Sequence, residues 1–406
     1  MQNGKWFDSV LVRQACCMLL LAGLAGLLIL PEIAATTAGE FKLADGTNPA
    51  AASDGSTFSV VVWESDDGDG TGISALRLDE LGLPAGIEFQ VNPSATGTQR
   101  NPDVTVLANG EFVVVWENID NQGTRILGQR FTDTGLPAGI EFSVQPSGES
   151  LEPAIGADGD GNFVVAWTGS PQQAPNGKYR HFVRRFDSLG NPLEAPQALG
   201  KKGPASPPAL AVRNNGKYLV AWESQNKDIR AIVLDEFSSP VTHLLRVNDP
   251  GGRHKQPAVA VVGDDFVISW NKTIGQTSSI QLRSIIDTGL PAGIEFLPAG
   301  IEFQVNLSAV DEGSQPALAT DDENAVVSWQ SKADALGRNS VLTRMIDRGL
   351  PAGIEFQVNP ITNGLAGQAD ITVEAPNSFL VVWENQGSPT AASTDLDILA
   401  NCIEVH

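Results

Sequence analysis

The segment Phe112-Val113-Val114-Val115-Trp116 decides how this chain is read, because it recurs. It returns as Phe58-Ser59-Val60-Val61-Val62-Trp63, Phe163-Val164-Val165-Ala166-Trp167 and Tyr218-Leu219-Val220-Ala221-Trp222. Three more copies are Phe266-Val267-Ile268-Ser269-Trp270, Ala325-Val326-Val327-Ser328-Trp329 and Phe379-Leu380-Val381-Val382-Trp383. Every tryptophan except Trp6 closes such a run, at intervals of 53, 51, 55, 48, 59 and 54 residues. Seven copies of one unit fill the chain.

Each unit holds four strand-like pieces. The first follows a proline and is built of small residues, as in Pro208-Ala209-Leu210-Ala211-Val212 and Pro257-Ala258-Val259-Ala260-Val261. A Gly or Asp turn leads into the tryptophan strand, a polar loop follows, and a third strand such as Arg125–Phe131 comes next. A Gly-Leu-Pro-Ala-Gly turn then opens a fourth, Ile140-Glu141-Phe142-Ser143-Val144. β-branched runs punctuated by Gly and Pro are strands joined by hairpins. Repeats of this length made of four antiparallel strands predict an all-β, seven-bladed β-propeller. Small residues in the opening strand fit a place beside the axis, where large side chains would collide.

The two ends predict closure. Gly39-Glu40-Phe41-Lys42-Leu43 reads as a fourth strand with nothing before it, and the last unit stops after a third strand, Leu396–Ile403. The leading segment is expected to complete the last blade, so that Phe41 lies beside Ile398 and residues 39–406 form one ring.

The formal charge of −22, from 26 Lys+Arg against 48 Asp+Glu, argues against nucleic acid as a partner, since phosphate binding needs clustered cations. Residues 1–38 read as a signal peptide: Lys5 and Arg13 precede an apolar run from Ala15 to Leu30, and Ala34-Ala35-Thr36-Thr37-Ala38 offers cleavage after Ala35 or Ala38. An uncleaved anchor is the alternative, and it alone would bring a membrane into play. The chain is therefore expected to be exported, whether to the periplasm, the cell surface or the medium. Cys16 and Cys17 would leave with the leader, and Cys402 alone cannot form an internal disulfide. A monomer is expected.

The units resemble a repeat of secreted and surface proteins of bacteria, with a Gly-Phe-Val-Val-Val-Trp strand, a Gln-Arg-Phe-Asp strand, and Glu-Phe-Gln-Val-Asn. The matching residues are Glu111–Trp116, Gln129-Arg130-Phe131 and Glu88-Phe89-Gln90-Val91-Asn92. The resemblance implies a propeller and carries no catalytic residues.

The heptapeptide Leu-Pro-Ala-Gly-Ile-Glu-Phe occurs at Leu83–Phe89, Leu136–Phe142 and Leu350–Phe356, and in tandem at Leu290–Phe296 and Leu297–Phe303. It reads as recent duplication rather than a binding motif. The tandem copy is expected to bulge out before the fourth strand of its blade.

Candidate sites are few. Seven equivalent tryptophans invite a sugar-stacking reading, but apolar residues on both faces of their strands favour packing between blades, with a carbonyl for each buried indole N–H. Glu64, Glu117, Glu223 and Glu384 follow four of the tryptophans, and Arg77, Arg130, Arg185 and Arg344 recur before the turn glycine. Cross-strand Glu–Arg pairing would account for both sets; the other reading is an acidic face. Asp66, Asp67 and Asp69, in Ser65-Asp66-Asp67-Gly68-Asp69-Gly70, suit calcium by their oxygen ligands, although Asp-Gly pairs are also good turns. The histidines have no metal-ligand spacing, and no nucleophile elbow is present, so no catalytic residue is assigned. Two functions follow: a non-enzymatic module binding a protein or glycan, or a hydrolase or lyase acting on polysaccharide at the central channel.

Overall fold

The computed structural model describes residues 35–37, 39–145, 148–170, 179–203, 206–287, 296–298, 302–308, 310–311, 314–321, 324–331, 339–347, 350–359, 365–386 and 396–405. The expected leader, apart from Ala35–Thr37, lies outside them. Seven antiparallel sheets are arranged in chain order, one for each repeat, and together they form a seven-bladed β-propeller. In the first blade the strands are Thr47–Ser53, Phe58–Asp66, Thr71–Asp79 and Phe89–Gln90, running from the axis outward. The seven small-residue segments are the innermost strands, as their composition requires.

The ring closes as the ends predict. Phe41–Asp45 pairs antiparallel with Leu396–Val405, with Phe41 opposite Ala400 and Ala44 opposite Ile398. Ala35–Thr37 extends the same edge, Ala35 lying opposite Val405. Cleavage after Ala35 would cut within this short strand and keep Thr36 and Thr37, whereas cleavage after Ala38 would remove all of it. From the closing strand the chain passes through Gly46, whose N–H donates to the Leu396 carbonyl at 2.8 Å. A Cβ on Gly46 would lie 2.3 Å from Cδ1 of Trp63, so only glycine lets the backbone pass the indole.

The core is a set of seven slabs, one between each pair of neighbouring blades. Side chains alternate across a strand, so one tryptophan strand serves two slabs. Val61 and Trp63 face the last blade, whereas Val60 and Val62 face the second. That alternation explains apolar residues on both faces, and each slab contains one tryptophan. All seven are buried, consistent with packing rather than sugar stacking.

The tandem heptapeptide is placed by its register. Pro298 lies opposite Ile285 and Phe303 opposite Leu282, matching Pro351 opposite Ile346 and Phe356 opposite Thr343 in the next blade. The second copy thus takes the standard position. The first is the insertion, and its expected bulge falls almost wholly outside the described residues.

Candidate functional site at the channel mouth

The residue after each tryptophan points, by the same alternation, toward the following blade. A carboxylate oxygen of Glu64 accepts the backbone N–H of Asn101 at 2.8 Å, and Glu117 does the same for Glu152 at 2.5 Å. Glu384 accepts from the N–H of Asn48 at 3.3 Å, across the ring closure. Where the residue is a donor, the neighbouring blade offers a carbonyl. Thr168 donates to Ser206 O at 2.6 Å, Asn271 donates to the carbonyls of Asp311 and Ser314, and Gln330 donates to Ala366 O. Six of the seven positions are thus seen to latch adjacent blades.

The latches meet strained backbone. Asn48, Asn101, Glu152 and Gln256 have φ near 50°, each just before the proline of an innermost strand, and a bulge follows in the register. The left-handed conformation turns the N–H out of the ladder, and at Asn48, Asn101 and Glu152 a carboxylate takes it up. A charge-assisted hydrogen bond of this kind is about twice as strong as a neutral one.

The Glu–Arg pairing expected from the sequence does not occur. Glu64, Glu117, Glu223 and Glu384 stand opposite Ile73, Ile126, Ile229 and Ile398. Arg77, Arg130, Arg185 and Arg344 stand opposite Val60, Val113, Val164 and Val327. Three or four residues of strand, roughly 10–13 Å, separate the two sets. Arg130 pairs instead with Glu111 and Arg185 with Asp158; Arg77 lies over the Phe58 ring, and Arg344 donates to Val305 O. As for the acidic-face reading, Glu117 is wholly buried and Glu64 is half-buried in its latch.

The remaining candidates are also placed. Asp66 accepts the N–H of Gly68 at 2.8 Å and Asp67 that of Asp69 at 3.2 Å, so two of the three proposed calcium ligands cap their own turn. Among the described residues no three Asp, Glu, His or Cys side chains are gathered as a metal would require. The indole N–H of Trp167 donates to a side-chain carbonyl, Gln145 Oε1, whereas that of Trp270 donates to His254 Nδ1. Those of Trp63, Trp116, Trp329 and Trp383 make no hydrogen bond within the described protein. His254 is held neutral, because Nδ1 accepts from Trp270 while Nε2 donates to Gly251 O.

What stays open to a ligand lies at the axis. Two cavities open there. One of about 780 Å³ lies where the innermost strands finish, lined by alanines and valines with Asp54, Asp321 and Asn377. The other, of about 400 Å³, lies where they begin and gathers more carboxyls and amides. Among the described residues its polar lining is Asn48, Asn101, Gln315 and Gln368 together with Asp103, Glu152 and Asp370, with no Lys, Arg or His. Asp103 and Asp370 occupy the position after the strand-opening Pro102 and Ala369, where the other blades carry alanine. Each reaches a neighbouring innermost strand: Asp103 accepts the Ile155 N–H and Asp370 the Ala51 N–H, both at 2.8 Å.

Burial pushes the Asp103 carboxyl up to about 7, with the Asp370 charge adding to the effect. Burial likewise pushes Asp370 up to about 6. Glu152 is pushed up to about 7, first by burial and then by the Glu117 carboxylate, and its Oε2 has no hydrogen-bond partner among the described residues. Half-buried carboxyls holding protons near neutrality are what functional clefts build. The sequence reading missed all three. Aligning the seven opening strands would have exposed the two aspartates among alanines.

No protein-family model and no curated protein matches the chain. Solved structures do. A Dyadobacter fermentans protein of unknown function aligns at TM-score 0.54 and 11% identity, covering 93% of this chain and 100% of that one. The WD40 domain of Toxoplasma gondii coronin aligns at 0.52 and 11%, covering 92% and 87%. A polysaccharide lyase of family PL25, an ulvan lyase, aligns at 0.55 and 10%, covering 89% and 95%. The likeness is of fold alone.

Proposed function

We propose that this chain is an exported propeller of the bacterial secreted and surface type, acting as a binding module that takes its ligand at the channel mouth. The observation that carries this reading is the division of its acids. Glu64, Glu117 and Glu384 are turned into latches between blades, whereas Glu152, together with Asp103 and Asp370 (each of which also accepts one neighbouring N–H), lines a cavity edged by four side-chain amides. Amides and carboxyls at the rim of a concavity match hydroxyl and ammonium groups, so the ligand is a neutral or amino-bearing glycan or a basic protein group. Uronates are disfavoured, because no cation lines the mouth to meet their charge.

The test is calorimetric titration of the chain with neutral oligosaccharides, amino sugars and uronates, beside Asp103→Asn/Asp370→Asn. Binding of a neutral or amino sugar that the double variant weakens by about tenfold or more supports the reading. Preference for uronates, or binding that the variant leaves alone, overturns it.

One observation favours hydrolysis as a second reading. Asp103, protonated up to about 7 and influenced by a second carboxyl on the same cavity, has the state required of a general acid. Release of reducing ends from a neutral polysaccharide, abolished by Asp103→Asn, would establish it. Lyase cleavage beside a uronate carboxylate has less support, since the lining holds no cation to stabilise the developing negative charge.

A further inference from the structure

At the end of the ring opposite the channel mouth, the turns joining third and fourth strands share one construction. Asp79 accepts the N–H groups of Leu81 and Leu83, both at 2.9 Å. Asp187 accepts those of Leu189 and Asn191, and Asp235 those of Phe237 and Ser239. In the second blade Thr132 accepts from Leu136. Pro84, Pro137, Pro192 and Pro240 then bridge back to the third strand in all four blades. These bonds fix the turns while sending apolar side chains outward: Leu81, Leu83, Leu136, Leu189, Leu193 and Phe237 are 47–73% exposed.

The turns of neighbouring blades also touch. Arg130 donates to Leu189 O at 3.0 Å, Ser238 bonds Glu194, and a Cβ on Gly135 would come within 3.2 Å of the Phe89 ring. Blades one to four therefore carry a continuous apolar rim. Isolated exposed leucines need no explanation, but a rigid series at equivalent positions marks an interaction surface. Residues 79–89, 132–142, 187–197 and 235–245 contain nine Asp and Glu and no Lys or Arg. Of the guanidiniums that lie against these turns, Arg130 and Arg185 are paired with Glu111 and Asp158, Arg77 lies over the Phe58 ring, and Arg184 donates to the Glu194 carbonyl.

We propose that this rim docks a cationic amphipathic protein segment, whose apolar side chains seat on the leucines and Phe237 while its Lys or Arg meet the turn carboxylates. Charge complementarity chooses the occupant. Two copies meeting rim to rim would oppose nine acids with nine. An anionic membrane surface would be repelled by the same groups.

The test is fluorescence anisotropy of a short labelled Leu/Lys amphipathic peptide with the full chain, in about 150 mM salt to screen distant charges. Leu81→Ser/Leu136→Ser/Leu189→Ser/Phe237→Ser alters exposed positions and keeps the net charge; Ile274→Ser/Leu307→Ser does so at exposed sites outside these turns. Weakening by about tenfold in the first variant, with the second unchanged, is expected. Equal affinity for all three proteins overturns the proposal. So does self-association that the first variant abolishes, or rim-dependent binding to zwitterionic phosphatidylcholine vesicles that exceeds binding of the peptide.

Discussion

Glu117 and Glu152 belong to neighbouring blades, and a carboxylate oxygen of the first accepts the backbone N–H of the second at 2.5 Å. The same carboxylate takes Arg100 Nε at 2.7 Å and Asn101 Nδ2 at 2.9 Å, and Glu117 is wholly buried. One side chain thus joins its own blade to the next at the place where the next backbone is strained. Removing it strands two donors and leaves the left-handed Glu152 without its compensation. Glu117→Ala is expected to cost about 2–3 kcal/mol, since the Glu152 N–H and the Asn101 amide lose a charged acceptor while the half-exposed Arg100 turns to water. Chemical denaturation reads this directly; a loss under about 1 kcal/mol would mean that the latch is incidental.

The joint between the closing strand and the first blade is equally specific. Gly46→Ala forces a Cβ into Trp63 and the Glu64 carbonyl. Melting should fall by several degrees, and exchange of the Lys42 to Asp45 amides should accelerate before that of the second blade. Uniform acceleration across all blades would place the damage elsewhere.

The architecture was legible in the sequence because propeller geometry repeats itself. A buried blade needs a tryptophan strand apolar on both faces, and seven copies print that need seven times. Complementary ends followed from the same count. The latches were not legible, since spacing reveals which residues recur but not the register that sets partners. Glu64 and Arg77 recur together, and their strands do pair, yet Glu64 meets Ile73. The channel acids escaped for another reason. Asp103 and Asp370 are single departures in strands read for their smallness, and the resemblance to known repeats carries no site.

Proton linkage gives those acids a signature. Asp103, Asp370 and Glu152 titrate near 7, 6 and 7 when folded, above their ordinary values. Their contribution to stability is full below about pH 4 and is lost as pH rises through 6 and 7. His181 and His254 have the opposite sign: burial lowers His181 to about 4 and holds His254 below its ordinary value, so their contribution is full above about 6.5 and is lost as pH falls. Between pH 7.5 and 5.5 the three carboxyls outweigh the histidines, and the protein should melt several degrees higher at pH 5.5. Asp103→Asn/Asp370→Asn should flatten that slope and raise the melting temperature at pH 8. An unchanged slope in the double variant would remove these two groups from the account.

The tandem heptapeptide offers a prediction of the null kind. Because Leu297–Phe303 already holds the standard register, deleting residues 290–296 should leave denaturation midpoint and slope unchanged within error. A large loss would show that the first copy also packs.

The most direct measurement sets the two classes of acid against each other. Asp103→Asn/Asp370→Asn and Glu64→Ala/Glu384→Ala are compared with the parent chain for melting temperature and for affinity toward the best-bound sugar, at one pH near 8. The first variant is expected to lose affinity while keeping or gaining stability, and the second to lose stability with a smaller loss of affinity, since Glu64 and Glu384 only hold Asn48 and Asn101 in place at the cavity rim. The reverse pattern, with affinity following the glutamates and stability the aspartates, would contradict the account.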